Sequence, residues 1–267
     1  TPKAGLIAML ASFICNVPIR IHTFTGLIFP TSTGFKKLLL IAIDRIICFC
    51  ATTVVPEGEG VKKDLIDYNI TRKKLDILGS GNIAGVDTNE LNKKNFIKNN
   101  LHLPLSGQLS LGDGSFVFCF VGRFTSDKGF NELLSAFNRL PCNAQLLLVG
   151  ESDHRVPLSV AQSDFIKSHP RIYDIGWLDD IRAPLALSDV LVLPSYREGF
   201  PNTPLQAGSM MLPCIVSNIS GCNEIIRDDF NGWLVEPKNE DDLHKTMLAS
   251  MSCNSIEILG FNARNNV

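Results

Sequence analysis

Two apolar runs in the second half of the chain are each followed by side chains that could do chemistry. Residues 189–194 are mostly branched and end in Pro194, which is typical of a buried parallel strand, and a loop carrying Glu198 and Asn202 follows at once. In a parallel sheet, such a loop lies at the carboxyl end of the strand, beside a helix N-terminus whose N–H groups favour anions. Helix caps use the same residue types, so this stretch alone predicts a ligand site and a capping loop equally well.

The second run, residues 116–121, is followed by Arg123 and Lys128, and a helix is predicted over residues 130–140. One cation at a strand end and one at a helix start would converge where a diphosphate could bind. Prepositioned donors of this kind stabilise the negative charge that develops on a departing nucleoside diphosphate. Taken alone, the two cations could equally be ordinary surface charges.

Residues 197–202 (REGFPN), followed by residues 205–208 (LQAG), resemble the signature of family 4 retaining glycosyltransferases. That signature carries two acids separated by seven residues, and the matching positions here are Glu198 and Gln206. The second is an amide, which departs from the pattern and gives a weaker hydrogen bond than a carboxylate. The resemblance implies an α/β protein of the GT-B fold, with two Rossmann-like domains built on parallel sheets and an incomplete N-terminal domain.

The resemblance also implies roles for particular residues. Glu198 would contact the donor sugar, Gln206 the ribose, and Arg123 and Lys128 the diphosphate, through an element of the form Gly-x-Arg…Lys-Gly. The reaction would need no covalent nucleophile and no metal ligand. The positions predicted to bind the nucleotide sugar are Gly122, Trp177, Leu178, Gly199, Phe200, Asn202 and Gln206.

His22 lies at the carboxyl end of a strand that is predicted to begin at residue 17 and to end within residues 22–26. A lone histidine at a strand end is more often structural than catalytic. Residues 1–6 (TPKAGL), however, resemble the opening seen in family 4 members of the capsule and lipid-linked oligosaccharide type, where a His-Thr pair faces the donor sugar and the acceptor. The resemblance therefore assigns His22 to the reaction centre. For Trp177, a core aromatic residue stays an equal alternative to a contact with the nucleotide base.

Composition and charge restrict the class of protein. The 267 residues are 45% hydrophobic and 19% charged, with a formal net charge of -2, which argues against a nucleic-acid partner. The eight cysteines include no Cys-x-x-Cys pair and lie mostly in apolar runs, which favours free thiols and a cytoplasmic location. We predict a partial N-terminal, acceptor-side domain over residues 1–92, a linker over residues 93–114, and a C-terminal nucleotide-sugar-binding domain over residues 115–267.

No stretch of the sequence predicts a membrane span or a signal peptide. Residues 4–17 are too few, and residues 38–55 are interrupted by Asp44 and Arg45. Residues 35–40 (FKKLLL) mix basic and apolar side chains, which fits either a helix packed under a sheet or peripheral contact with the cytoplasmic face of the inner membrane.

The sequence thus predicts a metal-independent retaining glycosyltransferase without a cofactor. It would transfer a hexose or an N-acetylhexosamine from a nucleotide sugar, with UDP as the expected nucleotide, to a lipid-linked or polysaccharide acceptor in surface polysaccharide biosynthesis. Two alternatives stay open. One is a noncatalytic nucleotide-sugar or glycan-binding subunit, favoured by Gln206, and the other is a nucleotide-sugar epimerase of the GT-B type.

Overall fold

The computed structural model describes residues 2–99, 112, 114–153 and 155–267. The chain divides into two compact units. Unit 1 comprises Thr1–Gly85, Arg197–Pro201 and Ile219–Glu224, and unit 2 comprises Val86–Tyr196, Asn202–Asn218 and Ile225–Val267. A linker between two domains is predicted over residues 93–114. Residues 93–99 form a helix, and residues 100–111 and 113 lie outside the described part, so the predicted domain boundary stays a prediction.

Unit 1 is built on two short parallel strands with helices around them. Its hydrophobic core includes Phe29, Ile47 and Leu65, each of which is fully buried. The elements are α1 (Pro2–Ile14), β1 (Ile21–Phe24), α2 (Gly34–Cys50), β2 (Thr53–Pro56) and α3 (Glu59–Asp67).

Strand β1 begins later than predicted. Pairing with β2 starts at Ile21, opposite Thr53, and His22 lies opposite Val54. Pro18 has no N–H to donate to a ladder, which explains why residues 17–20 are not strand. All these pairings are parallel, and the carboxyl ends of both strands therefore point the same way.

Unit 2 carries a six-stranded parallel sheet in the order β5-β4-β3-β6-β7-β8. The first strand in sequence is third in space, and the chain reverses direction across the sheet between β3 and β6, as in Rossmann-like folds. Most of these strands are buried apolar runs, because helices cover both faces of such a sheet. They are β3 (Phe116–Val121), β4 (Ala144–Val149), β5 (Ile172–Gly176), β6 (Val190–Leu193), β7 (Cys214–Ser217) and β8 (Gly232–Val235).

The helices that follow α3 are α4 (Lys93–Asn99), α5 (Phe130–Asn138), α6 (Val160–Ser168), α7 (Arg182–Ala186), α8 (Asn202–Ser209), α9 (Cys222–Ile225), α10 (Glu240–Ser250) and α11 (Ile256–Asn265). The helix predicted over residues 130–140 forms as α5. The sequence did not predict α4, α9 or α11.

The first turn of α2 exposes apolar side chains. Phe35 and Leu38 are 80% and 65% exposed, and Lys36 lies between them in sequence. None of the helices in the described part of the chain is both long enough and apolar enough to cross a membrane.

Gly129 fixes the connection between β3 and α5. Its φ is +67°, and a Cβ built there would lie 1.9 Å from the carbonyl oxygen of Pro194 at the end of β6. Tyr196 N–H also donates to the carbonyl of Asp127 at 2.9 Å. Only glycine allows the loop after β3 and the loop after β6 to approach this closely.

We therefore expect Gly129→Ala to destabilise unit 2 by several kcal/mol, because a backbone clash adds to the strain of the positive φ. Gly176→Ala is the matched control, since its φ is +74° and a Cβ there has nothing within 4 Å. The control should cost only about 1 kcal/mol. Urea unfolding of both variants measures the difference, and equal losses would contradict the role given to the close approach.

A charged residue lies in the core of unit 1. Asp44 of α2 is 3% exposed, and burial raises the pKa of its carboxyl from 3.8 to about 6. Its charge also raises the pKa of the Cys48 thiol, although burial of that thiol contributes more. Near neutral pH the ionised carboxylate is therefore a source of instability.

Asp44→Asn should stabilise the chain at pH 8 and have little effect below pH 4. The folded-state pKa lies above the unfolded one, so the favourable contribution of the protonated acid is lost as the pH rises from about 4 to about 6. The pKa difference sets an upper limit of about 3 kcal/mol on the gain. Thermal unfolding across this pH range is the measurement, and a stabilisation independent of pH would contradict the assignment.

Candidate active site

A candidate site within unit 2 lies at the carboxyl ends of its strands, around the point where the strand order reverses. It is a cavity of about 310 Å³. The ends of β3, β4 and β5 line it on one side and the first turns of α8 on the other. The lining residues of interest are Gly122, Arg123, Glu151, Trp177, Leu178, Asp179, Thr203 and Gln206.

Five predicted site residues thus line one cavity: Gly122, Arg123, Trp177, Leu178 and Gln206. The indole of Trp177 is 67% exposed, which excludes the alternative of a core aromatic residue. Its Nε1 donates a long hydrogen bond of 3.4 Å to Asp179. An exposed aromatic face at the edge of a cavity can stack on a planar base.

Gly150 allows the strand ends to come together under this cavity. Its φ is +131°, and a Cβ there would lie 2.0 Å from the carbonyl oxygen of Gly122. Glycine at this position lets the loops after β3 and β4 touch through backbone alone, which leaves the space above them open to a ligand.

Arg123 belongs to a cluster of three charges. Its Nη1 donates to Oδ2 of Asp153 at 2.7 Å. Asp153 also accepts from Nε and Nη2 of Arg155, at 2.9 and 2.7 Å. The hydrogen bonds from Arg155, and to a lesser degree the one from Arg123, hold the pKa of Asp153 well below its usual range. Two guanidinium groups share one carboxylate, so the cluster keeps a net positive charge beside the cavity.

Lys128 and Asn202 also belong to unit 2, near the same strand ends. Lys128 ends the short 3-10 turn Ser126–Lys128, and α8 begins at Asn202. Neither residue is among those that line the cavity.

The signature loop with Glu198, Gly199 and Phe200 belongs to unit 1, where backbone packs against backbone. A Cβ on Gly199 would lie 2.3 Å from the carbonyl oxygen of Thr25, and one on Gly221 would lie 2.1 Å from the carbonyl oxygen of Gly199. Three chain segments therefore stack without side chains between them. This contact fixes the backbone from which Glu198 projects.

Glu57 is an acid of this loop region that the sequence analysis does not identify as a site residue. It is 8% exposed, and its carboxylate accepts hydrogen bonds from the N–H groups of Ile83 and Phe200. Asn82 donates in turn to the carbonyl of Phe200 at 3.0 Å. Glu57 and Asn82 thus hold the peptide groups on both sides of Phe200.

Burial raises the pKa of Glu57 above its ordinary value, and the charge of Glu198 acts in the same direction, whereas the two backbone hydrogen bonds oppose it. The charge of Glu198 therefore acts on Glu57 electrostatically. The sequence signal that could have identified Glu57 is an acid directly after the strand residue Pro56, at the carboxyl end of a parallel strand.

Glu224 caps a helix. Its carboxylate accepts from the N–H groups of Glu59 and Gly60, at 2.6 and 2.9 Å, at the start of α3, and from Gly221 N–H at 3.0 Å. Three N–H groups thus donate to this carboxylate, which gives Glu224 a structural role.

His22 lines a separate, smaller cavity within unit 1. Its ring makes an edge contact with Phe24, with 4.6 Å between ring centroids, and burial lowers the pKa of the imidazole. A Cβ on Gly5 of α1 would lie 2.6 Å from Cε1 of His22, so glycine there makes room for the ring. The imidazole is neutral at physiological pH and offers one donor and one acceptor.

No group of three or more His, Cys, Asp or Glu side chains that could hold a metal ion occurs in the described ranges.

Comparison with known proteins places these observations in a family. The model of the family described as Glycosyl transferases group 1 matches residues 105–265. The chain is 30% identical over its whole length to the capsular polysaccharide biosynthesis glycosyltransferase CapM of Staphylococcus aureus, of which it covers 70%. It is 28% identical, over 99% of its length, to the UDP-Gal:alpha-D-GlcNAc-diphosphoundecaprenol alpha-1,3-galactosyltransferase of Escherichia coli, of which it covers 68%. The chain therefore spans about two thirds of the length of these relatives.

The fold is similar to that of a solved structure. The crystal structure of Anabaena Alr3699/HepE in complex with UDP and glucose matches 99% of the chain with a TM-score of 0.77 at 18% identity, and the chain covers 70% of that protein. The predicted α/β GT-B fold is thereby confirmed. Because the family model covers more than half of the residues and CapM is similar along the whole chain, the chain belongs to the group 1 glycosyltransferases.

Proposed function

We propose that this chain is a retaining, metal-independent glycosyltransferase. It transfers a hexose or an N-acetylhexosamine from a UDP-linked donor to a lipid-linked or polysaccharide acceptor, and it acts in surface polysaccharide biosynthesis. Its nucleotide-sugar donor is a substrate, and no further cofactor takes part.

The observation that carries this proposal is the cavity at the strand ends of unit 2. A nucleoside diphosphate needs a flat surface for its base, a polar partner for its ribose and a cation for its phosphates. Trp177, Gln206 and Arg123 supply these three groups around one space of about 310 Å³. The helix that carries Gln206 begins beside the same space, so its N–H groups add to the attraction for an anion.

The names of the relatives support the donor and acceptor classes. The Escherichia coli protein is named for UDP-Gal and for an acceptor on diphosphoundecaprenol, CapM for capsular polysaccharide, and HepE was crystallised with UDP and glucose. These names favour UDP as the nucleotide and a lipid-linked saccharide as the acceptor.

In the proposed reaction, Arg123 and Lys128 stabilise the diphosphate as its bond to the sugar breaks, and Glu198 orients the sugar. The net positive charge of the cluster around Arg123 suits this role, because it remains after Asp153 has been neutralised by Arg155. His22, as a neutral imidazole, orients a sugar hydroxyl near the reacting carbon. A cytoplasmic location with peripheral membrane contact stays a prediction.

A noncatalytic binding subunit is the second candidate, and Gln206 is the observation that favours it. The amide in place of an acid lowers the expected strength of the ribose contact. Release of UDP from UDP-sugars in the presence of a lipid-linked acceptor distinguishes an enzyme from a binding subunit, which would bind the donor without turnover.

Calorimetric titration of UDP into the chain in the presence of EDTA tests the donor site. We expect micromolar binding that EDTA leaves intact and that Arg123→Ala weakens at least tenfold, because a charge-assisted hydrogen bond to phosphate is lost. Uridine, which lacks phosphates, should bind both forms equally.

Arg139→Ala is the matched control for this titration. Arg139 is exposed to a similar degree, 43% against 47% for Arg123, and is also paired with an aspartate, Asp241 at 2.6 Å, but it does not line the cavity. It should leave UDP affinity unchanged. Equal losses in the two variants, or a folded chain that binds no UDP, would contradict the proposed donor site.

Gln206→Glu should strengthen UDP binding about threefold to tenfold if this side chain contacts the ribose, because an ionised acceptor forms a stronger hydrogen bond than an amide. The gain should disappear with 2′,3′-dideoxy-UDP, which lacks both ribose hydroxyls. Calorimetry with the two nucleotides measures the effect. An equal change in affinity for both would show that residue 206 acts on something other than the ribose.

A further inference from the structure

Two aspartate-arginine pairs in unit 2 have the same local structure, and one of them adjoins Arg123. Both have the spacing Asp-x-Arg, Asp153 with Arg155 and Asp180 with Arg182. In each pair, the arginine donates through its backbone N–H and its Nε to one carboxylate oxygen and through Nη2 to the other, at 2.7 to 3.0 Å. The spacing alone is therefore enough to form a complete ion pair in this chain.

Arg123 distinguishes the first pair from the second. Its Nη1 donates to Oδ2 of Asp153 at 2.7 Å, and the side chain of Asp153 is only 11% exposed. Among the described residues, Asp180 has no second arginine as a partner, and its side chain is 51% exposed. Because an Asp-x-Arg pair is complete without a third group, Asp153 does not need Arg123 to satisfy its carboxylate. The additional hydrogen bond serves instead to hold Arg123.

The atom through which Arg123 is held leaves two of its donors available on another edge. A guanidinium group can bind an oxyanion through two parallel N–H groups, such as those of Nε and Nη2. Arg155 uses this edge for Asp153. Arg123 uses Nη1 instead, and within the ranges that the structure describes its Nε and Nη2 make no hydrogen bond. These two donors remain for an anion in the cavity that Arg123 lines.

The charge of Asp153 is balanced without Arg123. A lone carboxylate beside Arg123 would cancel the charge of the guanidinium group and repel a diphosphate. Arg155 already forms an ion pair with Asp153, so two guanidinium groups and one carboxylate together keep a net positive charge. Asp153 can therefore orient Arg123 without removing the attraction for an anion.

Orientation matters for Arg123 because its side chain is 47% exposed. A long side chain loses rotamer freedom when it binds a ligand, and a contact that already holds it reduces this loss. Asp153 is a firm support, since Arg155 donates three hydrogen bonds to its carboxylate and Val156 N–H donates to its carbonyl at 2.9 Å.

We propose that Asp153 is a positioning residue of the donor site, which holds Arg123 through Nη1 so that Nε and Nη2 bind the diphosphate of the nucleotide sugar. Arg155 keeps Asp153 in place and balances its charge. The identification of the anion as a nucleoside diphosphate rests on the proposed function.

Calorimetric titration of UDP and of uridine into Asp153→Ala tests this role. The variant should bind UDP about threefold to tenfold more weakly, because the ligand itself must then order Arg123, and it should bind uridine as the parent chain does. Electrostatics alone predicts the opposite sign, since removal of a carboxylate makes the cluster more positive and would strengthen UDP binding. Unchanged or stronger binding of UDP overturns the proposal.

A double variant shows whether Asp153 acts through Arg123. If it does, Arg123→Ala combined with Asp153→Ala should bind UDP no more weakly than Arg123→Ala alone, because no guanidinium group is left to position. Losses of affinity that add together would mean that Asp153 acts on UDP by another route, and they would overturn the proposal.

Two further variants exclude a general effect on folding. Asp180→Ala removes the matching Asp-x-Arg pair, and because Asp180 does not line the cavity, UDP affinity should not change. Equal losses in Asp180→Ala and Asp153→Ala would contradict the positioning role. Asp153→Asn keeps an acceptor oxygen for the turn and gives a weaker hydrogen bond to Arg123, so its UDP affinity should fall in the same direction as that of Asp153→Ala.

Phosphorus NMR titration with inorganic pyrophosphate separates this proposal from the proposed function. A parent chain that binds pyrophosphate through Arg123 and Asp153 but binds no UDP would contradict the UDP-linked donor, while the positioning role stands. A parent chain whose UDP binding depends on Arg123 but not on Asp153 would leave the donor site intact and remove the positioning role. A folded parent chain that binds neither ligand overturns both.

Discussion

The pairing of β3 with β6 is the contact on which the arrangement of unit 2 depends. Phe118 and Cys119 lie opposite Val190 and Leu191, and the chain leaves these two neighbouring strands toward opposite sides of the sheet. Connections that diverge in this way leave a crevice that no side chain of the sheet fills. Arg123 follows one of the strands and α8 follows the other, so a single pairing decides that a cation and a helix start face the same space.

Close approach of backbones has a comparable role in both units. Gly129 and Gly150 in unit 2, and Gly199 and Gly221 in unit 1, each occupy places where a Cβ would collide with a carbonyl oxygen. Backbone contacts are less adaptable than side-chain contacts, because a peptide group has no rotamers with which to avoid a neighbour. The loops that carry charged groups are therefore held in place by rigid backbone contacts. A site that stabilises a developing charge requires groups held in fixed positions.

The sequence predicted the alternation of strands and helices well, because strands such as β3 and β4 are unbroken apolar runs. It also predicted five of the residues that line the cavity of unit 2, because the family resemblance assigned them to the nucleotide-sugar site. The predicted start of β1 at residue 17 is wrong. Residues 17–20 are largely apolar, which favours a strand, but the pairing with β2 begins only at Ile21. The burial of Glu57 and Asp44 could not be predicted, because burial is a property of the folded chain.

The division into units has a consequence for how the chain could be dissected. The chain passes between the units at five peptide bonds, namely 85/86, 196/197, 201/202, 218/219 and 224/225. Unit 1 is therefore not a contiguous segment, and a fragment ending at residue 92 would lack the loop with Glu198 and the carboxylate of Glu224 that caps α3. A single crossover between two relatives would therefore join the first segment of unit 1 from one protein to the remaining segments of unit 1 from the other.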